Sequence, residues 1–234
     1  MVDVAERTLR GIGLLSALQA ASLRSLEKAC TWRRVGAGQR LINHDDTSDD
    51  VFFIVSGSLR IIIYAPNGRA VLFRAMKPGD VIGQFSALDG KPRSASAEAT
   101  MPALVAQMSG RAFRALVERE PAVTRALLSQ SIAYVRELSA RIYEFSSLAV
   151  IERVHGELLR LGQDARPDGN RAVIAPAPRH ADIANRIATH REAVSREMSR
   201  LARMGLLERR GKALVIADMA ALARLAAPVA DRPL

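Results

Sequence analysis

The sequence predicts an α+β chain: a small antiparallel barrel or sandwich, then a long helix, then a helix-turn-helix with a β-wing. Three observations carry this. Between about Thr31 and Met108, β-rich runs alternate with turn signals at short intervals. From Pro121, no glycine or proline appears until Gly156. From Arg179 to Gly205, two short helical patterns flank a tight turn.

Residues 1–30 read as short helices, with Leu14, Leu15, Leu18, Leu23 and Leu26 at helical spacing. The strands that follow include Val51-Phe-Phe-Ile-Val, Leu59-Arg-Ile-Ile-Ile-Tyr and Ala70-Val-Leu-Phe. Gly36, Asp45-Asp46, Ser56-Gly57, Pro66-Asn67-Gly68, Pro78-Gly79-Asp80 and Asp89-Gly90 separate them. Asn67-Gly68 suits a hairpin, because both residues tolerate positive φ.

After Gly110 the pattern turns helical. Phe113, Leu116 and Val117 make a short amphipathic piece. Pro121 suits the first turn of the next helix, where its missing N–H costs nothing. A helix from Pro121 to Ser147 runs about 40 Å at the standard rise. Leu127, Tyr134, Leu138, Ile142 and Phe145 form a stripe longer than a small barrel can cover. Self-association along the helix buries it, and packing on the chain's own barrel is the alternative. Helix continues through 148–162 to a stop at Gly162, followed by a polar loop and a strand-like stretch from Arg171.

The C-terminal pattern points to DNA. Ile183, Ala184 and Ile187 give a first helix, with Ala184 where two helices approach closely. Thr189 and Glu192 form a capping box that starts a second helix at His190. Val194, Met198 and Leu201 are its buried stripe, and Gly205 ends it. The opposite face carries Arg191, Glu192, Arg196, Arg200 and Arg203. Arg binds guanine O6 and N7 bidentately, and Glu accepts from the cytosine amino group. Capping alone also accounts for Glu192. Leu206 to Ile216 reads as two strands about Arg210-Gly211, a basic wing whose Arg209, Arg210 and Lys212 suit phosphates. From Arg179 to Lys212 there are nine basic and four acidic residues, a surplus of five, half the chain's net +10.

A second segment, Val81 to Ser96, has the logic of an anion cassette. Gly83 lets backbone amides approach a ligand, and residues 83–88 suit a short helical turn. Arg93 offers a bidentate charge and Ser94 a hydroxyl. A turn and a surface charge is the plainer reading of the same residues.

Composition narrows the classes. The 234 residues suit roughly one to two domains. One cysteine, Cys30, excludes an internal disulfide and a four-thiolate metal site. His44, His155, His180 and His190 are scattered, and no nucleophile–base pair or metal cluster suggests an enzyme. The acidic, weakly apolar start does not read as a signal peptide, so a cytoplasmic protein is expected. No stretch reaches the roughly 18 apolar residues of a membrane span.

Taken together, residues 10–225 resemble the CRP/FNR superfamily of bacterial regulators, in its cyclic AMP receptor protein-like branch. Gly57, Gly68, Gly79-Asp80 and Ile82-Gly83 look like the glycine skeleton of its cyclic-nucleotide-binding β-roll, a jelly-roll-like fold. Pro92-Arg93-Ser94-Ala95 is similar to the family's phosphate motif. Arg191, Glu192 and Arg196 resemble its recognition triad. The resemblance implies a sensor domain over 1–120, a dimerisation helix over 121–147 and a winged helix-turn-helix over 148–234. It implies cyclic AMP or cyclic GMP as effector, with no resident cofactor. The cassette would contribute Gly83, Gln84, Phe85, Ser86, Arg93, Ser94 and Ala95. Gln84 stands where the family normally has a ribose-binding Glu, and Phe85 and Ser86 depart from a small-aliphatic pattern. Leu138 and Ser139 fall at the family's base-contacting pair, with Tyr134 one turn earlier. The implied partners are a second copy, a palindromic duplex with half-sites resembling TGTGA, and RNA polymerase. The expected DNA-facing set is Arg179, His180, Thr189, His190, Arg191, Glu192, Arg196, Arg200, Arg210 and Lys212. One rival keeps the DNA function with a barrel that is ligand-free or tuned to another anion. The other is a cyclic-nucleotide-responsive subunit of an enzyme or channel, which the recognition helix argues against.

Overall fold

Phe52 and Phe53 are adjacent in sequence, yet each is buried in a different hydrophobic cluster. Successive strand residues point to opposite faces, so an unbroken apolar run marks a strand covered on both sides. That strand is β3 (Val51–Tyr64), the centre of the first half of the molecule. The computed structural model describes residues 7–64, 70–165 and 167–226. The Asn67-Gly68 hairpin turn, Gly68 of the glycine skeleton included, lies outside them.

Contacts divide the chain into two units, up to Val135 and from Arg136. The first holds a 3-10 turn (Gly13–Leu15), α1 (Ala20–Ala29), β1 (Thr31–Val35), β2 (Arg40–Ile42), β3, β4 (Ala70–Met76), β5 (Val81–Ile82), α2 (Gln84–Asp89), β6 (Ser96–Met108) and α3 (Gly110–Arg119). It also holds the first part of α4 (Pro121–Ser147), so the division falls inside that helix and not at its ends. The sheet runs β1-β6-β3-β4, with β2 added to β6 and β5 to β3, and the pairings are antiparallel. One cluster packs Phe53 and Met108 against Leu14, Phe113 and Val123 of the flanking helices. The other fills the inside of the roll with Phe52, Ile54, Leu59 and Val105.

The second unit holds the rest of α4, α5 (Val150–Asp164), β7 (Ala172–Ile174), α6 (His180–Arg186), α7 (Arg191–Arg203), β8 (Leu207–Arg210), β9 (Ala213–Ile216) and α8 (Met219–Ala226). Its sheet order is β7-β9-β8. Val154, Leu158, Ile183, Val194, Leu201, Leu207 and Leu222 form its core. The fold is thus α+β, with a β-roll, a long helix and a winged helix-turn-helix.

Several local expectations are corrected. Ser56-Gly57 is not a turn between strands. β3 runs through it, and its register with β6 shifts between Ile54 and Leu59. Gly57 has φ +81°, and a Cβ there would sit 2.2 Å from the Pro102 carbonyl oxygen. The residue is a bulge where two backbones touch. Gly162 does not stop its helix either. It lies inside α5, where a Cβ would meet Met219 Sδ at 2.8 Å and Ile216 Cδ1 at 2.9 Å. Its role is close packing. The helix before it is not continuous with α4: Ala149 caps a separate α5, its N–H donating to Glu152 Oε2 at 2.8 Å.

The apolar stripe of α4 is also shifted. Leu127 packs on the first unit's core, and the Tyr134 ring meets that of Phe85. The outward residues are Leu128 (60% exposed), Ile132 (49%), Val135 (60%) and Ile142 (66%), with Leu138 and Phe145 less so. Leu127 and Tyr134 of the predicted stripe are thus engaged within the first unit, while Leu128, Ile132 and Val135 beside them are exposed.

Gly57→Ala meets both backbone and positive φ, and is expected to cost about 3 kcal/mol or more of stability in urea unfolding. Gly38→Ala, with φ +77° but nothing within 4 Å, is expected to cost only about 1 kcal/mol.

Candidate nucleic-acid interface and ligand cassette

The turn between α6 and α7 is made without glycine. Ala188 takes φ +51°, and Thr189 N–H donates to the Ala184 carbonyl at 3.0 Å. Ala184 is buried, as a close helix crossing requires. α7 begins at Arg191, and the cap position falls on His190 instead of Thr189, with no side-chain cap bond. The predicted capping box is therefore corrected by one residue. Thr189 is buried, so the structure does not bring it to the exposed set. Val194, Met198 and Leu201 are buried as expected, and Gly205 follows the helix with φ +74°.

Arg191, Glu192, Arg196 and Arg203 are exposed on α7. Arg200 is not among them. Its guanidinium binds the buried Glu197 carboxylate, Nε to Oε2 at 2.9 Å and Nη2 to Oε1 at 2.7 Å. A solvent-facing arginine is thus turned into a strut. Burial raises the Glu197 pKa, but hydrogen bonds from Arg200 and His155 outweigh it and hold the carboxyl below its usual range.

A cleft of about 410 Å³ opens beside the recognition helix, lined in part by Arg179, His180, Arg191 and Arg209. His180 Nδ1 lies 2.7 Å from Ser195 Oγ. Burial, then the charges of Arg191 and Arg209, push the His180 pKa down. A concave site lined by three arginines is suited to an anion. In the wing, Arg209, Arg210 and Lys212 are exposed. Arg210 Nε donates to Glu208 at 2.8 Å, a surface pair that costs little to exchange for a phosphate. His190 is exposed at the start of α7.

A second buried carboxylate, Glu157 of α5, meets three arginines. Arg141 of α4 lies at 3.2 Å, Arg160 at 3.1 Å and Arg186 of α6 at 3.1 Å. The sequence reading missed these groups. The i,i+3 pairs Glu157–Arg160 and Glu197–Arg200 were visible as spacings, but their burial was not.

In the first unit, Gly83 has φ +88° and precedes the short α2, as the cassette reading expects. A Cβ at Gly83 would stand 2.5 Å from the Asp50 carbonyl and 2.7 Å from Arg93 Nη1. Arg93 is only 3% exposed. Its Nε donates to Ser48 Oγ (3.1 Å), Nη1 to the Gly83 carbonyl (3.0 Å) and Nη2 to the Asp50 carbonyl (2.7 Å). Desolvation lowers its pKa, against Asp50, Asp49 and Asp46. The cassette arginine is therefore also a clasp joining three loops, a role the sequence did not disclose. Ser94 is exposed, Ala95 and Gln84 are half-buried, and Ser86 is buried. Phe85 is exposed but pairs with Tyr134 at 6.2 Å between ring centroids, and Arg74 lies 5.7 Å over the Tyr134 ring. Leu138 and Ser139 lie farther along α4, in the second unit.

Comparison with known proteins finds matches to parts of both units. Residues 32–120 match the family model of the cyclic nucleotide-binding domain, and residues 152–225 that of the Crp-like helix-turn-helix domain. The chain belongs to the CRP-like regulators. It is 25% identical over 222 residues to a CRP-like cAMP-activated global transcriptional regulator of Mycobacterium tuberculosis, covering 94% of this chain and 99% of that one. It is 28% identical over 195 residues to the cAMP-activated global transcriptional regulator Vfr of Pseudomonas aeruginosa, covering 80% and 89%. Among solved structures, CooA from Carboxydothermus hydrogenoformans, studied as a mutant, aligns with TM-score 0.77 at 18% identity, covering 92% and 94%. FixK2 from Bradyrhizobium japonicum aligns with TM-score 0.73 at 21%, covering 86% and 98%. The c-di-GMP responsive regulator CLP of Xanthomonas campestris also aligns with TM-score 0.73, at 18%, covering 85% and 99%. This CRP-like chain is a DNA-binding transcription regulator with a cyclic nucleotide-binding domain. No helix of its described residues is long and apolar enough to cross a membrane.

Because Arg93 holds three loops together, Arg93→Ala is expected to destabilise this regulator by about 3 kcal/mol with no ligand added. Urea unfolding followed by Trp32 fluorescence checks this.

Proposed function

We propose that this regulator binds a palindromic duplex as a homodimer, under control of cyclic AMP or cyclic GMP. The observation that carries the reading is the division of labour on α7. Arg191, Glu192 and Arg196 are exposed together, next to a cationic cleft, while Arg200 is tied to Glu197. In this reading Arg191, Glu192 and Arg196 read base edges in the major groove. Arg179, His180, Arg209, Arg210 and Lys212 meet phosphates, and contact with RNA polymerase in the cytoplasm follows. Arg196→Ala is expected to cost about 1–3 kcal/mol on the palindrome and to relax one base pair, whereas Arg210→Ala weakens all sequences alike. Fluorescence anisotropy on palindromic and scrambled duplexes checks both. Equal loss on the two duplexes for Arg196→Ala contradicts the assignment.

The dimer reading rests on the bare α4 residues Leu128, Ile132, Val135, Leu138 and Ile142. Their spacing of three and four suits pairing with a second copy. Ile132→Asp with Ile142→Asp is expected to give a monomer in sedimentation that no longer binds the palindrome, because unpaired charge is penalised in a dry interface.

For the ligand, the cassette fits a cyclic phosphate in part. Gly83 keeps the backbone open, Ser94 offers an exposed hydroxyl, and Arg93 keeps two N–H groups beyond its three internal bonds. Gln84 accepts the ribose hydroxyl as a neutral amide. An ionised acceptor bonds more strongly, so Gln84→Glu is expected to tighten binding by about tenfold. Calorimetry with cyclic AMP and cyclic GMP on nucleotide-free protein checks this. No heat with either, and unchanged DNA affinity in their presence, removes the ligand and leaves the DNA reading intact.

A further inference from the structure

Glu197 carries a buried negative charge within the recognition helix, and one of the groups that meets it lies 42 positions earlier in the chain. His155 of α5 is 1% exposed. Its Nε2 lies 2.6 Å from Glu197 Oε1, and its Nδ1 lies 3.1 Å from the Leu225 carbonyl oxygen of α8. Both partners are acceptors. A carbonyl has no proton to give, and the two-point bond from Arg200 keeps Glu197 ionised. A neutral imidazole has one N–H and one lone pair, so it would set that lone pair against an oxygen at one of these contacts. The remaining donor nearby, Arg200 Nη2, is 3.5 Å from Nε2, much farther than Glu197. Protons on both Nε2 and Nδ1 are the arrangement that gives each of these two contacts a donor.

We propose that His155 is a buried imidazolium that fixes the recognition helix against α5 and α8, and is a positioning residue for base reading. Glu197 follows Arg196 directly in α7, so the pin acts beside a base-reading side chain. Bidentate base contacts fail on small displacements, whereas phosphate contacts made by flexible wing residues tolerate them. The charged groups at the pin are His155 from α5, and Glu197 and Arg200 from α7, with α8 contributing the carbonyl dipole. Two cations around one carboxylate are tolerable because the Arg200 side chain is 40% exposed.

The test uses the full chain labelled with 15N-histidine. A two-bond proton–nitrogen spectrum at neutral pH separates the four histidines, and the His155→Gln variant assigns the signal. Both His155 nitrogens are expected in the protonated range. One nitrogen in the unprotonated range overturns the proposal, and this arm needs no DNA. Glu197→Gln provides a second variant, in which the doubly protonated signature should be lost. Its persistence there also overturns the proposal. The DNA arm rests on the palindrome reading above. His155→Gln is expected to lower the ratio of palindromic to scrambled affinity by about tenfold, with scrambled affinity, held by Arg209, Arg210 and Lys212, little changed. His155→Lys, which keeps a buried cation, is expected to recover most of the ratio. Equal loss on both duplexes, without recovery by His155→Lys, reduces His155 to a folding role.

Discussion

The pairing of two buried carboxylates with cations is the constraint on which the DNA-binding unit depends. Glu157 and Glu197 are almost wholly excluded from water. Removing a partner from such a pair leaves an uncompensated charge, at a cost on the order of 3–5 kcal/mol. The chain answers with arginines from three helices around Glu157, and with Arg200 and His155 around Glu197. Apolar packing holds the unit together, but it is non-directional. The charged contacts have direction, so they set where α6 and α7 stand. Glu157 also reaches Arg141, tying the last turns of α4 to the first helix of the helix-turn-helix.

The same economy appears in the sensor unit. Arg93 satisfies two backbone carbonyls and a hydroxyl while standing in the cassette proposed to hold a cyclic phosphate. A ligand phosphate would bond to the two remaining N–H groups of a guanidinium already committed to the fold. Binding and loop structure are then linked: whatever bonds to Arg93 also acts on the loops that carry Ser48, Asp50 and Gly83. The Phe85–Tyr134 pair with Arg74 gives this unit an aromatic edge that the sequence pattern did not assemble, because the three residues come from α2, α4 and β4.

Much of the architecture was legible because periodicity reports burial. The continuous apolar run at Val51 gave a strand, and the Gly- and Pro-free stretch from Pro121 gave the start of α4 but not the break that separates it from α5. The stripe Val194, Met198, Leu201 gave the buried face of α7. Glycine was read less well, since it serves turns and close contacts alike. Gly57 and Gly162 read as punctuation in the sequence, yet both mark places where a Cβ has no room. In the interface, the exposed Arg191, Glu192 and Arg196 were identified from chemistry and spacing. Arg200 was assigned to DNA because charge on a helix face reads as exposed; its partner Glu197 was the available signal. His155 had no local signal at all, since its contacts come from residues 42 and 70 positions away.

The central claim is that the arginines of α7 are divided between reading DNA and holding the helix. Selection of bound duplexes from a randomised pool, run in parallel on the wild type and Arg200→Ala, tests it most directly. The account expects both proteins to select the same two-fold half-sites, spaced about one helical turn apart. It expects Arg200→Ala to bind them more weakly, with an unchanged dependence of affinity on salt. A base preference lost at one position of each half-site, or a salt slope reduced by about one unit, would place Arg200 on the DNA and contradict the account.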